Sequence, residues 1–491
     1  MNPYGRRPLV WRFGIAAGAL CLVAGGVVLV GAQMATGPSI TVTGEEQALS
    51  IVWEASADAS GPVESRFDDW AALWPTAGAV VHADHRGVTA YSSDEGAHLW
   101  DFTPEGRGLC AAAETPAGKK GDIGVVLVEE ADGDGDYGGY GNACRTVVAL
   151  DLESGEEVWT AEAGPPWEGA KKEAERYPWA TGAEVWADGP RVVVQRGEIL
   201  LGLDADEAGR EVWQEENPLF PDAEEKEWAN GPDYSCLDVE QSPLPGGEGE
   251  LAVLAACDYQ WRVGVLDTAT GEVSERSDAS DTKAPLLSGD PLVRSCWDRG
   301  ECRPPGGGFD VHVFDGGDAE IVHAQQERGA LPEGPGEEPD YAYPPALGGG
   351  ESYTVDDGIL YLIASGREEP WDRLAAVDLT TGQTRWAYYA ERYTPREVLG
   401  VENGRVLVLA WHEPEASAPP SAEEDLRLLS FPADGEGPAE VIADGLPALP
   451  GSAVSDVRVS VSGGRYYLAL PPRALGERTD DEPVAPLYTV G

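Results

Sequence analysis

The chain has 491 residues, and 87 Asp plus Glu stand against 34 Lys plus Arg, a formal net charge of −53. So acidic a surface has no basic track for phosphates, which excludes nucleic acid as a partner. Hydrophobic residues at 42% supply a folded core, and 62 Gly with 38 Pro mark many turns. Length alone suggests about three domains, unless one repeat array replaces them.

The N-terminus sets the compartment. Arg6, Arg7 and Arg12 precede an uncharged apolar stretch, residues 13–32. About 20 apolar residues cross a bilayer as a helix, and basic residues stay inside. The sequence therefore predicts a cytoplasmic tail at 1–12, a transmembrane signal anchor at 13–32, a linker at 33–44 and an extracytoplasmic domain at 45–491. The location is then the cell membrane, with a single pass. A cleaved signal peptide ending near Val30-Gly31-Ala32 is the competing reading. A lipid anchor at Cys21 is disfavoured, because Leu20 stands where a small residue is expected.

A repeat fills the predicted ectodomain. In five segments an alternating apolar strand leads into a turn closed by Gly96, Gly155, Gly209, Gly271 or Gly382. Four of them place a tryptophan four residues later, namely Trp100, Trp159, Trp213 and Trp386; the unit around Gly271 has Glu275 instead. An Asp such as Asp151 or Asp378 caps the turn with its own carboxylate, and Gly supplies the positive φ that closes it. The Trp that follows is a large planar residue suited to packing between adjacent sheets. Weaker copies surround Gly317 and Gly437. Two further strand candidates precede each hairpin, and four short strands per period of roughly 55 residues make a propeller blade.

The ends complete one more unit. Residues 457–461, 465–470 and 486–490 read as three strands, and the chain stops before a Trp strand. Near the start, Ile51-Val52-Trp53 reads as the missing one. An N-terminal strand finishing a C-terminal sheet closes the ring and removes open edges. The expected fold is thus all-β, an eight-bladed β-propeller after an N-terminal transmembrane helix. Seven blades is the alternative, because the unit around Gly317 is degenerate. The repeat register also pairs the six ectodomain cysteines within blades, as Cys110–Cys144, Cys236–Cys257 and Cys296–Cys302. Neither CxxC nor Cys/His ligand spacing occurs, which argues against a metal site.

The pattern in residues 375–386 and 149–159 resembles the repeat of pyrroloquinoline quinone (PQQ)-type β-propellers. That family includes quinoprotein alcohol dehydrogenases and the non-catalytic outer-membrane assembly factor of the BamB type. The resemblance implies the fold from about residue 45 to the end. For a dehydrogenase it would further imply a disulfide between adjacent cysteines over the quinone, with a calcium held by Glu, Asn and Asp. No adjacent cysteine pair exists here. No catalytic, cofactor-binding or metal residue is therefore assigned.

Remaining candidates are modest. Asp132, Asp134 and Asp136 alternate like the start of a calcium-binding EF-hand loop. Tyr137 replaces its invariant Gly and Ala143 its bidentate Glu, so the segment reads as a solvated loop or a weak calcium site. His82 and His85 flank Asp84 in what reads as a hairpin turn rather than a metal site. Residues 331–351 and 413–424 are Pro- and acid-rich inserts. The expected function is a non-catalytic, membrane-anchored scaffold or sensor that binds other proteins. The alternatives are an exported PQQ-dependent dehydrogenase or a propeller binding a small ligand or glycan. Its charge favours basic partners or divalent cations.

Overall fold

The computed structural model describes residues 42–43, 48–55, 70–104, 108–129, 144–164, 183–196, 199–219, 236–237, 244–245, 249–257, 260–280, 286–289, 291–296, 308–315, 318–325, 353–364, 373–389, 392–412, 425–446, 457–470 and 486–491. The expected span at 13–32 lies outside them. Among the described residues no helix is long and apolar enough to cross a membrane. The strands belong to one compact unit, Gly37–Gly491.

Two strands come first, β1 (Val42–Thr43) and β2 (Ile51–Glu54). Sets of strands then recur. The first is β3 (Ala72–Pro75), β4 (Ala79–Asp84), β5 (Gly87–Ser92) and β6 (His98–Phe102). The second is β7 (Leu109–Ala112), β8 (Ile123–Glu129), β9 (Cys144–Asp151) and β10 (Glu157–Glu162). The third is β11 (Ala183–Asp188), β12 (Arg191–Arg196), β13 (Ile199–Asp204) and β14 (Arg210–Glu216). The fourth splits its first strand into β15 (Cys236–Leu237) and β16 (Leu244–Pro245), before β17 (Glu250–Cys257), β18 (Gln260–Asp267) and β19 (Val273–Ser280). The fifth is β20 (Leu286–Gly289), β21 (Leu292–Cys296), β22 (Gly308–Asp315) and β23 (Asp318–Gln325). The sixth is β24 (Tyr353–Asp356), β25 (Ile359–Ala364), β26 (Arg373–Asp378) and β27 (Thr384–Tyr389). The seventh is β28 (Tyr393–Glu402), β29 (Arg405–His412), β30 (Asp425–Pro432) and β31 (Ala439–Leu446). The last is β32 (Arg458–Ser462), β33 (Arg465–Ala469) and β34 (Leu487–Val490).

Each set forms one antiparallel sheet, and β2 completes the last by pairing with β34. Among the described residues seven sheets are thus built from consecutive strands, and an eighth combines β2 with β32, β33 and β34. Trp53 lies opposite Thr489 and Ile51 opposite Val490. Each sheet packs on the next. Apolar clusters join the first and second sheets through Trp74 and Val126, the second and third, and the third and fourth through Trp213 and Leu266. Others join the fifth and sixth, the sixth and seventh, and the seventh and eighth. The eighth meets the first through Tyr467, Trp53 and Tyr91. The fourth and fifth are neighbours through β16, β17 and β20. This is an all-β propeller.

Burial follows position in the blade. The second strands are solidly apolar, as Val192, Val193 and Val194 of β12 show. The fourth strands of the first three sheets are largely exposed except at the tryptophan; β10 buries Trp159 and no other residue fully. Every aliphatic side chain buried between sheets contributes about 1.5–3 kcal/mol, so stability is spread over the ring.

Two expectations are corrected. The turn of the seventh sheet is closed by Gly435, at φ +76°, and not by Gly437. Its strand β30 ends at Pro432 instead of at an Asp, which displaced the register read from the sequence. The 33–44 segment is also not wholly a linker. Val42 and Thr43 pair in parallel with Ala439 and Glu440, adding a fifth strand to the seventh sheet. Gly317, at the degenerate unit, lies outside the described residues.

A disulfide joins Cys110 to Cys144, with Cα atoms 6.1 Å apart. It ties the first strand of the second sheet to its third across the end of β8. Cys236 and Cys257 are direct register partners on β15 and β17. Cys296 ends β21, and Cys302 lies outside the described residues. Non-reducing peptide mapping should recover Cys110–Cys144 and Cys236–Cys257 as linked pairs. Replacing Cys110 and Cys144 by serine should cost about 3–4 kcal/mol, the chain-entropy value for the sequence separation of 34, read as a lowered melting temperature.

Candidate interaction face and blade junctions

Strand alternation sends every connection to one of two rims. First-to-second and third-to-fourth connections share one rim. There Ser93 N donates to Gly78 O, Ala205 N to Pro190 O, Thr268 N to Gly249 O, Leu379 N to Gly358 O, and Ala433 N to Gly404 O. These connections are mostly tight turns. Second-to-third connections and the links between sheets share the opposite rim, where Leu109 N donates to His85 O. The longest stretches between strands, residues 163–182, 217–235, 326–352 and 470–486, all leave from that second rim. The acidic segment with Asp132, Asp134 and Asp136 and the insert 413–424 also join strand ends there; both lie outside the described residues, as does 331–351.

The tight rim is held by side chains already committed to structure. The Asp151 carboxylate accepts hydrogen bonds from Ser154 N at 2.8 Å and Glu153 N at 3.0 Å, and from Ser154 Oγ at 2.9 Å. Asp267 and Asp378 cap their turns in the same way. The third unit has one more residue between Asp204 and Gly209, taken up by a short 3-10 turn, Ala205–Glu207. The Ser154 amide above all holds the Asp151 carboxyl below its ordinary value of 3.8, although partial burial opposes this. A carboxylate depressed in the folded state contributes stability above its unfolded pKa and loses it as pH falls through the lowered folded value. Thermal melts between pH 5 and pH 2 should therefore fall off in wild type below about pH 4. The Asp151→Asn variant should show a shallower acid slope.

Five turn glycines are covered by the tryptophan of the preceding sheet. A Cβ on Gly155 would stand 2.5 Å from the Trp100 ring, and one on Gly271 would stand 2.7 Å from Trp213. Trp159 covers Gly209, Trp386 covers Gly435, and Trp53 covers Gly96. All five glycines have positive φ, so the position demands glycine for backbone and for space. The residue after the turn-opening position completes the junction. Trp159 Nε1 donates to Ala205 O at 3.1 Å, Trp213 to Thr268 O at 2.9 Å, Trp386 to Ala433 O at 3.0 Å, and Trp53 to Ser93 O at 3.3 Å. That same residue donates its N–H to its own sheet's first turn. One peptide thus links two sheets. Trp100 departs from the pattern, because its indole N–H has no partner. Gly382 also closes its turn at positive φ, but β23 of the preceding sheet carries no tryptophan.

At the loop-bearing rim two clusters stand out. His82, Asp84 and His85 are buried at the β4–β5 turn, where the Arg86 guanidinium and backbone N–H both bond the Asp84 carboxylate. Burial above all lowers the His82 pKa; Asp84 opposes and Arg86 assists. The pair flanks a turn, and no group of metal-ligating side chains occurs among the described residues. In the seventh sheet the Arg396 guanidinium lies 4.0 Å over Trp411, and Arg427 5.6 Å from the Tyr393 ring. Tyr393 also packs on His412 at 5.3 Å. Two cations on aromatic faces, worth about 0.5–1 kcal/mol each, are notable in so acidic a chain. Arginines so far apart in sequence gave no signal there.

The family model described as outer membrane protein assembly factor BamB matches residues 50–301. The chain belongs to this family of PQQ-type propellers. A search of curated proteins finds no match. Among solved structures, the Cps50 (Swd1) β-propeller domain of Myceliophteria thermophila is 12% identical, with a TM-score of 0.37. The alignment covers 72% of this chain and 96% of that one. An oligogalacturonate lyase in complex with manganese is 11% identical, with a TM-score of 0.42, over 86% of this chain and 97% of that one.

Proposed function

We propose that this member of the BamB family is a non-catalytic, membrane-anchored scaffold, its propeller held outside the cell membrane and its partners other proteins. The observation that carries the reading is the asymmetry of the rims. The tight rim spends its Asp, Gly and Trp side chains on turns and sheet junctions. The opposite rim receives every long connection, the arrangement by which rigid scaffolds present binding segments. The apolar stretch at 13–32 after three arginines supports the anchor. The net charge of −53 favours partners with basic surfaces.

Photo-crosslinking in intact cells tests this reading. A crosslinker at exposed Arg392, on the loop-bearing rim, should capture protein partners. One at exposed Glu153, on the tight rim, should capture few. Protease added to wall-stripped cells should degrade the propeller. Protection of the propeller would refute the topology. Dye-linked oxidation of alcohols or sugars after titration with PQQ and calcium would refute the non-catalytic reading in favour of a dehydrogenase.

A further inference from the structure

The fourth strands carry a feature beyond the tryptophan. In every strand with a junction tryptophan the ladder shifts immediately before it, leaving one unpaired residue: Val52, Leu99, Val158, Val212 and Arg385. A bulge of this kind kinks the strand and re-aims the neighbouring side chain, here the Trp onto the next sheet's glycine. Geometry asks only for an outward residue, and Arg385 meets that need while pairing with Asp378 at 2.7 Å. The other four are aliphatic and exposed, at 43% for Val52, 47% for Leu99, 49% for Val158 and 37% for Val212. They are the large hydrophobics found exposed among the described residues. Scattered exposed aliphatics need no explanation. These recur at one register position on four successive sheets, the eighth, first, second and third.

The seventh sheet shows what covers such a position. Its bulged residue is Ile442, and the chain's own N-terminal segment lies along that edge. Leu49 N donates to Ile442 O at 2.7 Å, and Leu49 bridges Ala443 in parallel. β1 extends the parallel pairing, and Leu49 and Ile442 pack on the same core cluster. No strand covers the outer edges of β2, β6, β10 and β14 among the described residues. Acidic residues flank their aliphatics: Glu54, Asp101, Glu157, Glu162, Glu211 and Glu215.

We propose that these four outer edges form a second interaction surface, which takes extended segments of a partner protein by parallel strand addition. Backbone hydrogen bonds supply affinity in this mode and alternate side chains supply specificity. The segment has aliphatic residues to meet Val52, Leu99, Val158 or Val212, separated by Lys or Arg that pair with the flanking carboxylates. The same carboxylates repel acidic segments and keep the edges from pairing with other copies of this chain. The surface lies on the circumference, apart from the loop-bearing rim, and does not depend on the scaffold reading.

The test uses the full-length protein and a capped eleven-residue peptide of alternating valine and lysine. Its control carries proline at the central valines, with equal charge and no strand-forming N–H there. At 0.15 M salt the first peptide should bind at least ten-fold more tightly than the control. Hydrogen–deuterium exchange should slow in β6, β10 and β14. The variant Leu99→Glu, Val158→Glu, Val212→Glu adds negative charge, so purely electrostatic capture would strengthen in it. Strand addition predicts at least a ten-fold loss, with the melting temperature unchanged because these side chains are exposed. Should the triple variant not fold, Val158→Glu alone should lose protection in β10. Equal binding of the proline control, unweakened binding by the variant, or protection confined to other strands would overturn the proposal. None of these outcomes bears on crosslinking at Arg392, so the two ideas fail separately.

Discussion

Replacing Trp386 by alanine should cost about 3–5 kcal/mol, the range for removing a fully buried aromatic side chain. The ring is 0% exposed. It stacks on Phe431 at 6.1 Å and lies 6.0 Å from Tyr361. Its indole N–H is bonded to Ala433 O. All of these contacts but Tyr361 belong to the next sheet, so the substitution cuts the junction between the sixth and seventh sheets. Trp386→Phe should recover most of the apolar contact and lose the hydrogen bond, for a smaller cost of about 1–2 kcal/mol. Gly435→Ala should also destabilise strongly, since it forces a Cβ into the ring and strains a backbone at φ +76°. Denaturant unfolding of the three variants checks the order: Trp386→Ala lowest, Trp386→Phe nearest wild type. Equal stability of Trp386→Ala and wild type would mean that the junctions do not hold the ring together.

The junctions were legible in the sequence only in part, and the reason is physical. A positive-φ turn under an aromatic ring demands glycine and tryptophan, so Gly155, Gly209 and Trp159 announce themselves. The residue that links two sheets, such as Ala205 or Thr268, acts through its backbone N–H and C=O, so no side chain is required and no pattern results. The bulge before each tryptophan is equally silent, because Val158 and Arg385 serve the same geometry. Gly435 is hidden in the sequence because Pro432 stands where the second, third, fourth and sixth units have Asp. Arg396 and Trp411, and Arg427 and Tyr393, meet through strand pairing across the sheet. Single-strand patterns carry no trace of such contacts. The closing strand was legible, because a Trp strand lacking its hairpin at one end of the chain matches a hairpin lacking its Trp strand at the other.

Removing residues 42–54 should open the ring and lower the melting temperature by on the order of 10 °C. Trp53 is 9% exposed and covers Gly96 of the first sheet from the eighth. Truncating such a residue costs about 3–5 kcal/mol alone. The deletion removes further bonds: Leu49 N to Ile442 O at 2.7 Å, and the pairings of Ile51, Trp53 and Glu54 with β34. It leaves a reduced apolar cluster of Tyr467, Ala469 and Leu487 with Leu73, Val80 and Tyr91, and Arg465 bonded to Asp94 at 2.8 Å, between the last sheet and the first. The exposed ion pair adds at most about 1 kcal/mol, so the seam is weakened by the loss of the Trp53 ring and its strand pairing. Two edges, β31 and β34, then become open templates for association. The truncated protein should aggregate at concentrations where wild type stays monodisperse by light scattering. A synthetic peptide of residues 40–56 added in trans should raise its melting temperature and suppress the aggregation, because the segment binds by backbone pairing and one ring. The same peptide with Trp53→Ala should fail to do so. Deletion of 413–421, between β29 and β30 on the loop-bearing rim, should change the melting temperature by no more than a degree or two. If both deletions behave alike, or if the Trp53→Ala peptide rescues as well as the native one, the ring is not closed through this strand.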